Sequence, residues 1–415
     1  KNNYNNQEIK LKDISTNCNE DFLTSFSVKD NVKNETINLN EIQKEDLSKV
    51  LQKKYSLVNW CQGGGKSLAG LCFNEFNKNN VKRQFIIAPP IAINLTWKYI
   101  LDNCLINDKK LDYICIEKLE DVKKIRENKL ILISLTMLKK YNKHIKKEIK
   151  KDSCKISLLF DESDSISNYH CKTTKAVMNC FRKASYKLLM TGTTTRNNVN
   201  ELYPQIELLY NNSINMLCEC EQVYKEGKLT KDLELTKNKF YNKPFSGYFG
   251  FGLWKSCFCP SKVTVFGAEK DTQYIYNKEK LDNLIQKTII TRTLEEITGK
   301  DMVNIQQIQV KQNDSEKELY EIILNEFFKM LKYFKQTGNS RKDNLLRIIQ
   351  QLKTMIKACS IPQVFSEYNN VKLPNKTIKI INMIQSKNER FCIGCTLKDT
   401  AKFYHKELLK LDRKV

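Results

Sequence analysis

The sequence has no long apolar run, no disulfide-type cysteine framework and few arginines. None of its hydrophobic stretches approaches the roughly 20 residues that a membrane-spanning helix needs, so no membrane association is expected. The fifteen cysteines are scattered through 415 residues, which indicates reduced thiols rather than the bridges of a small secreted domain. We therefore expect an intracellular protein, either cytoplasmic or, in a eukaryotic host, nuclear.

The charge balance is strongly basic but allows two interpretations. The formal net charge is +23, which predicts a polyanionic partner, most simply nucleic acid. Only nine of the seventy basic residues are arginines, however, and asparagine and isoleucine are abundant. An AT-rich genome produces this skew without any function behind it. Charge alone therefore leaves both interpretations open.

The stretch Trp60–Ser67 carries the strongest signal in the chain. The apolar run Tyr55–Trp60 predicts a buried strand, and Leu68–Phe73 predicts a helix, so the three glycines Gly63, Gly64 and Gly65 lie between them. Successive backbone N–H groups of such a loop, together with the helix N-terminus, form a phosphate site. Lys66 would reach the β- and γ-phosphates of ATP, and the Ser67 hydroxyl would bind Mg²⁺. A bare glycine turn is the alternative, since Trp60 stands where the usual pattern has a small residue.

Regular β/α alternation follows the glycine loop. Apolar runs separated by helical stretches occur at 84–88, 111–116, 129–134, 157–160 and 186–190. Continuous runs of this kind predict an α/β fold with a parallel sheet covered on both faces. In such sheets, ligands bind at the carboxyl ends of the strands, which is where the polar residues of this chain cluster.

Two of those strand ends carry residues suited to ATP hydrolysis. Asp161 and Glu162 follow a buried strand, so Asp161 would hold Mg²⁺ through water and Glu162 would deprotonate the attacking water. An ordinary acidic turn is the alternative. Thr191-Gly192-Thr193 ends the next strand and could sense the phosphate state.

Gln43 precedes Lys66 by about two dozen residues, where many motor ATPases have a glutamine that reads adenine. A solvated helix glutamine is the alternative.

The order of these motifs resembles the superfamily-two helicases, and within them the Swi/Snf-type translocases. Asp161–Asn168 resembles that family's extended acidic motif, and Thr191–Tyr203 resembles its Thr-Gly-Thr motif, with Thr194 in place of the usual proline. Ile87–Pro90 followed by Trp97-Lys98 resembles that family's first motif for contact with a nucleic-acid strand, and Ile133–Leu138 resembles the second. Lys287–Thr293 resembles the strand and arginine that close the first lobe.

The resemblance implies an ATP- and Mg²⁺-dependent translocase or helicase whose two lobes step along DNA. It places sequence-independent contacts to the strand at Pro89, Pro90 and Ser134, and coupling at Thr191, Gly192 and Thr193. An RNA helicase is an alternative, as is a nucleotide-dependent switch or scaffold in a complex with replication or transcription proteins. No arginine-finger pattern occurs between Lys376 and Val415, so the resemblance implies slow hydrolysis by these residues alone.

The expected architecture is a RecA-like P-loop lobe with an inserted subdomain, a helical protrusion and the start of a second RecA-like lobe. The predicted boundaries are 1–40 for a polar, mobile or peripheral lead-in, 41–210 for the first lobe, 211–285 for the insertion, 286–370 for the end of that lobe and the protrusion, and 371–415 for the second lobe. Further strands are predicted at 305–310 and 390–395. Helices are predicted at 316–334 and 345–356, another helix begins at 376, and a last helix follows the strand 390–395 and ends at 411. Cys218, Cys220, Cys257 and Cys259 could bind zinc, although buried free thiols suit their spacing better.

Overall fold

The computed structural model describes residues 19–195, 198–210, 220–224, 233–237, 247–259, 261–263, 269–271, 275–299, 305–337, 341–368 and 373–411. The chain divides into two compact units, residues 1–302 and 303–415. The strands of the described residues all lie in the first unit: β1 Ser27–Asp30, β2 Glu35–Asn38, β3 Tyr55–Trp60, β4 Arg83–Ala88, β5 Cys104–Ile106, β6 Tyr113–Ile116, β7 Leu130–Ser134, β8 Ile156–Asp161, β9 Tyr186–Thr191, β10 Cys220–Tyr224, β11 Leu233–Lys237, β12 Ser261–Val263, β13 Glu269–Asp271 and β14 Ile289–Arg292.

Helices alternate with these strands. Those of the first unit are α1 Glu20–Ser25, α2 Glu41–Leu51, α3 Lys66–Asn77, α4 Pro90–Ala92, α5 Lys98–Asn103, α6 Leu119–Lys123, α7 Leu135–Ile149, α8 Lys172–Phe181, α9 Tyr203–Tyr210, α10 Gly247–Phe258, α11 Lys278–Thr288 and α12 Leu294–Thr298. A π-helical turn, Ile93–Trp97, joins α4 to α5. Short 3₁₀ segments lie at Lys124–Arg126, Lys150–Lys155, Ser163–Ile166, Val199–Leu202 and, in the second unit, Pro362–Val364.

A seven-stranded parallel sheet forms the centre of the first unit, in the order β14-β3-β9-β8-β4-β7-β6. Its side chains alternate between two buried clusters. Leu57 and Phe85 face the cluster under α7 to α11, whereas Val58 and Ile86 face the cluster under α2, α3 and α5. Both faces are therefore covered, which is why the strands read as continuous apolar runs. The predicted α/β fold is confirmed.

The N-terminal region is more ordered than its composition suggests. Residues 19–39, which the sequence predicts as a mobile or peripheral lead-in, contain α1 and two strands of a small antiparallel sheet in the order β2-β1-β5. Phe26 and Val28 are buried in the same cluster as the P-loop strand. The polar composition does not predict this packing, because a few apolar side chains are enough to attach the small sheet to the core of the first unit. Residues 1–18 lie outside the described residues.

All regular structure in the described part of the second unit is helical. Its helices are α13 Asp314–Thr337, α14 Arg341–Ala358, α15 Asn375–Gln385 and α16 Lys398–Leu408, which confirms the helical predictions for this part of the chain. The strands predicted at 305–310 and 390–395 are wrong, because both segments are irregular. An extended segment becomes a strand only by pairing with another strand, and the described part of this unit contains none. Ile305 and Phe391 are consequently exposed.

The predicted insertion is described in part. Two short antiparallel pairs occur, β10 with β11 and β12 with β13. Helix α10 packs into the main core, where Trp254 and Phe258 are buried beside Tyr203 of α9. This helix thus belongs to the same compact unit as the sheet. Among the described residues, no helix has the length and apolar character needed to cross a bilayer.

Candidate functional site

The glycine loop lies between β3 and α3 in the arrangement that binds phosphate. Gly63 has φ 81° and Gly65 has φ 85°, backbone conformations that side-chain-bearing residues rarely adopt. Helix α3 begins directly at Lys66, so its unpaired N–H groups open onto the loop. The ammonium of Lys66 donates to the carbonyl oxygens of Trp60 and Cys61 at 3.0 and 3.1 Å. The Lys66 ammonium is therefore held by two carbonyl oxygens that precede the glycines of the loop.

Gln43 lies against this loop rather than in solvent. Its side chain is 6 % exposed, and its Nε2 donates to the carbonyl oxygen of Gly64 at 3.0 Å. Its Oε1 accepts from the backbone N–H of Asn40, closing a capping box at the start of α2. A Cβ on Gly65 would lie only 2.4 Å from Gln43 Nε2, so this contact requires glycine. The solvated-glutamine alternative is wrong; adenine recognition stays a prediction.

The unusual Trp60 is accommodated by a buried carboxylate on α2. Its indole Nε1 donates to Asp46 Oδ2 at 3.1 Å, and both side chains are fully buried. Arg292 at the end of β14 donates to the same carboxylate through Nε at 3.0 Å and Nη2 at 2.8 Å. Asp46 thus joins the P-loop strand, the neighbouring strand and α2. The sequence prediction missed Asp46; the signal was a carboxylate beside the buried Leu47.

The two adjacent carboxylates stand at the end of β8, in different environments. Asp161 is 7 % exposed, and its Oδ2 accepts from the indole Nε1 of Trp97 at 2.9 Å. Burial raises the pKa of Asp161, while the Trp97 hydrogen bond and the charge of Lys66 act in the opposite direction. Glu162 has φ 53°, a left-handed conformation that is uncommon for this residue and typical of functional sites.

Hydrogen bonds connect the acidic motif to the Thr-Gly-Thr motif. Thr191 Oγ1 lies 3.3 Å from Asp164 Oδ1 and donates to the carbonyl of Thr193 at 2.9 Å. Gln205, fully buried on α9, accepts from Ser163 Oγ at 2.8 Å and donates to the carbonyl of Thr194 at 3.0 Å. Gln205 therefore bridges the two motifs. Gln205 was not anticipated, because its two partners are distant in sequence.

The Thr-Gly-Thr motif also adjoins the phosphate loop. A Cβ on Gly192 would lie 3.6 Å from Lys66 Nζ and 3.7 Å from the carbonyl oxygen of Trp60. Strands β3 and β9 are direct neighbours, with Asn59 opposite Thr191, which brings the two strand ends together. The structure therefore collects the predicted coupling residues, Thr191 and Gly192, beside the predicted phosphate-binding lysine.

The residues predicted to contact a nucleic-acid strand share the same sheet edge. Ala88 at the end of β4 pairs with Ser134 at the end of β7, so Pro89 and Ser134 are close. Pro90 is exposed, whereas Ser134 is 9 % exposed and its hydroxyl caps α7 by accepting from Met137 N at 3.3 Å. The segment from Pro89 passes through the π-helical turn and ends at Trp97, which contacts Asp161. One continuous segment therefore connects this edge with the acidic pair.

These residues fit a nucleotide with Mg²⁺. The positive-φ glycines and the start of α3 offer backbone donors, and Lys66 lies among them for the phosphates. Asp161 and Ser67, the second residue of α3, carry oxygen atoms of the kind that Mg²⁺ prefers as ligands. Bound Mg²⁺ would neutralise charge on the phosphates. The carboxylate of Glu162 is able to accept a proton, and the backbone N–H groups of the loop are able to donate to phosphate oxygens.

The cysteine set is only partly described. Cys257 and Cys259 are buried at the end of α10, whereas Cys218 lies outside the described residues. Within the described ranges, no group of three His, Cys, Asp or Glu side chains is arranged for a metal ion. Cys392 and Cys395 are free thiols and belong to an irregular segment. The zinc alternative therefore stays untested as a four-cysteine site.

Comparison with solved structures finds an ATPase core and two helicases. The chain is similar to the Sulfolobus solfataricus SWI2/SNF2 ATPase core in complex with dsDNA (17% identity, 90% of this chain and 70% of that one, TM-score 0.44). It is also similar to the Pyrococcus furiosus Hef helicase domain (11%, 89% and 66%, TM-score 0.39). A third similar structure is the UvsW helicase from bacteriophage T4 (15%, 48% and 66%, TM-score 0.35). No curated protein matches the chain.

The parallel sheet and the glycine loop between β3 and α3 define an ATPase lobe of the P-loop type. The SNF2-related domain matches residues 63–363, which include the glycine loop, the acidic pair and the Thr-Gly-Thr motif. The chain belongs to the SNF2-related family. It is accordingly a nucleotide-using, nucleic-acid-dependent ATPase of the Swi/Snf type, and the resemblance recognised in the sequence is confirmed.

Proposed function

We propose that this protein is an ATP-driven DNA translocase in which Lys66, Asp161 and Glu162 carry the nucleotide chemistry. The observation that supports it is the shared edge of the sheet. There the phosphate loop, the acidic pair and the Thr-Gly-Thr motif meet the Pro89–Ser134 edge, and Trp97 connects that edge to Asp161. Such an arrangement makes nucleotide state and strand contact mutually dependent, as translocation requires.

Each residue has a distinct role in this proposal. Lys66 and Ser67 hold the phosphates and Mg²⁺, Asp161 holds Mg²⁺ through water, and Glu162 is the general base. Gln43 reads adenine from α2, to which the phosphate loop is already bonded. Pro89, Pro90 and Ser134 contact the backbone of one DNA strand, and Thr191, Gly192 and Thr193 pass the phosphate state to them. DNA is proposed over RNA, and movement along the duplex over strand separation.

Substitution of Glu162 tests the chemistry. Glu162→Gln keeps the shape of the side chain but cannot accept a proton, so we expect ATP binding within about twofold of wild type and hydrolysis slowed by roughly 10²–10⁴. Lys66→Ala is the matched control and should instead abolish tight ATP binding. Binding is measured with a fluorescent ATP analogue, and hydrolysis by phosphate release. Normal turnover by Glu162→Gln would remove this residue from the role of base.

Nucleic-acid stimulation tests the substrate. Phosphate release is measured with duplex DNA, single-stranded DNA and RNA of equal length, and movement by displacement of a triplex-forming strand. We expect duplex DNA to stimulate turnover most and displacement to require ATP hydrolysis. Greater stimulation by RNA would favour an RNA helicase. Stimulated turnover without displacement would instead favour the nucleotide-dependent switch.

A further inference from the structure

Helix α7 carries an exposed row of lysines that none of the motifs accounts for. The helix begins at the sheet edge that carries Pro89, Pro90 and Ser134, which we call the strand-contact edge, since Ser134 is its N-cap. Lys139, Lys143 and Lys146 are all exposed, as is Lys150 in the 3₁₀ turn that follows. Their spacing of three or four residues places them on one side of the helix. We call these four residues the lysine row.

The lysine row runs along helix α8. Hydrogen bonds from Thr173 lower the pKa of the Cys171 thiol, just before α8, and the charge of Lys139 lowers it further. At the other end of α8, the Cys180 thiol donates to the carbonyl oxygen of Asn142 on α7 at 3.5 Å, and the charge of Lys146 opposes the rise that burial causes in the pKa of Cys180. Lys139 and Lys146 therefore lie near opposite ends of α8.

Little negative charge accompanies this row. Glu148 is the sole carboxylate in α7, and its Oε2 pairs with Arg126 Nε at 2.7 Å. Helix α8 contains no carboxylate and adds two exposed lysines, Lys172 and Lys175. A surface of one sign, extended along two parallel helices, attracts an extended polyanion. Because α7 starts at the strand-contact edge, nucleic acid is the polyanion that this position favours.

We propose that the lysine row binds the sugar–phosphate backbone of nucleic acid beyond the Pro89–Ser134 edge. Helix α7 has fifteen residues and is thus about 22 Å long, which corresponds to roughly six base pairs of duplex. The lysines supply point charges to phosphates, so the contact lengthens the footprint without adding sequence preference. This inference rests on the proposed function, because it requires that the strand-contact edge bind nucleic acid.

A charge-matched pair of variants tests the lysine row. Lys139→Gln, Lys143→Gln and Lys146→Gln are combined in one variant. The control combines Lys29→Gln, Lys109→Gln and Lys110→Gln, which are exposed on the small antiparallel sheet and its adjoining turn. Both variants lose three positive charges, and both are checked for an unchanged thermal unfolding midpoint. Binding to a fluorescent duplex is measured between 50 and about 200 mM salt.

We expect the α7 variant to bind at least about tenfold more weakly at low salt. Its slope of log K against log salt should be smaller by roughly 2 to 3, since each phosphate contact contributes about 0.9. The control should stay within about twofold of wild type. Equal weakening of both variants, or wild-type binding by the α7 variant, would overturn the lysine row while leaving the proposed function intact. Failure of wild type itself to bind DNA would overturn the proposed function as well.

Discussion

Asp46 offers the sharpest test of how this chain holds its phosphate loop. The carboxylate is fully buried and accepts three hydrogen bonds, one from the Trp60 indole and two from the Arg292 guanidinium. Asp46→Ala leaves the indole N–H buried without an acceptor, which costs about 1–3 kcal/mol. Removing one partner of a buried ion pair costs up to about 5 kcal/mol, less here because the Arg292 side chain is 23% exposed.

We therefore expect Asp46→Ala to lower the free energy of unfolding by about 4 kcal/mol. Nucleotide affinity should fall as well, because the Lys66 ammonium donates to the backbone carbonyl oxygen of Trp60, whose side chain Asp46 holds. The assay is chemical denaturation followed by circular dichroism, with the m-value required to stay constant. Binding of a fluorescent ATP analogue is measured on the same preparation, at a temperature where the variant is folded.

Glu45 on the same helix provides the matched control. Its carboxylate is 45 % exposed and lies 3.6 Å from Arg292 Nη2, so Glu45→Gln should cost less than about 1 kcal/mol. Adding Trp60→Phe to Asp46→Ala should restore part of the loss, because the stranded indole donor is then gone. The reasoning is refuted if Asp46→Ala unfolds within 1 kcal/mol of wild type, or if Glu45→Gln is equally damaging.

Two further substitutions probe buried polar contacts of the first unit. Trp97→Phe removes the donor to Asp161 but keeps an aromatic ring, so we expect a folded protein that needs several-fold more Mg²⁺ for nucleotide binding; an unchanged Mg²⁺ titration would contradict this. Lys187 is fully buried, and burial lowers its pKa to about 7 although its ammonium donates to three carbonyl oxygens. Between pH 7 and about 10.5 the unfolded chain binds a proton that the folded chain does not, so wild-type stability should rise with pH relative to Lys187→Met, by up to about 1.4 kcal/mol per pH unit. Denaturation of both proteins at pH 6.5, 8 and about 9.5 measures the difference, and a parallel pH dependence would refute it.

The sequence predicts the parts of the fold that local patterns determine. The strands of the parallel sheet are apolar on both sides and end in recognisable polar residues, so β3, β8 and β9 and their motifs could be found. The segments 305–310 and 390–395 carry similar local patterns, yet they are irregular. Strand formation depends on a partner, and a local pattern cannot show whether one is present.

Polar contacts between residues that are distant in the sequence could not be predicted from it. Asp46 meets Arg292 across 246 positions, and Gln205 joins Ser163 to Thr194 across 42 and 11. Such side chains look like ordinary surface residues in a sequence, because the apolar packing that buries them is distributed over the whole unit. The structure was needed to identify them as the supports of the loop and the acidic motif.

The two departures from the family pattern, Trp60 and Thr194, fall where the backbone makes the functional contact. The carbonyl oxygen of Trp60 accepts from Lys66 Nζ, while its side chain points into the core toward Asp46. The carbonyl oxygen of Thr194 accepts from Gln205, a contact that a proline in its place would also provide. Neither side chain is needed at the phosphate loop or in the bond to Gln205. The site can therefore keep its geometry with an atypical sequence, provided that Asp46 supplies the acceptor that the larger residue at position 60 requires.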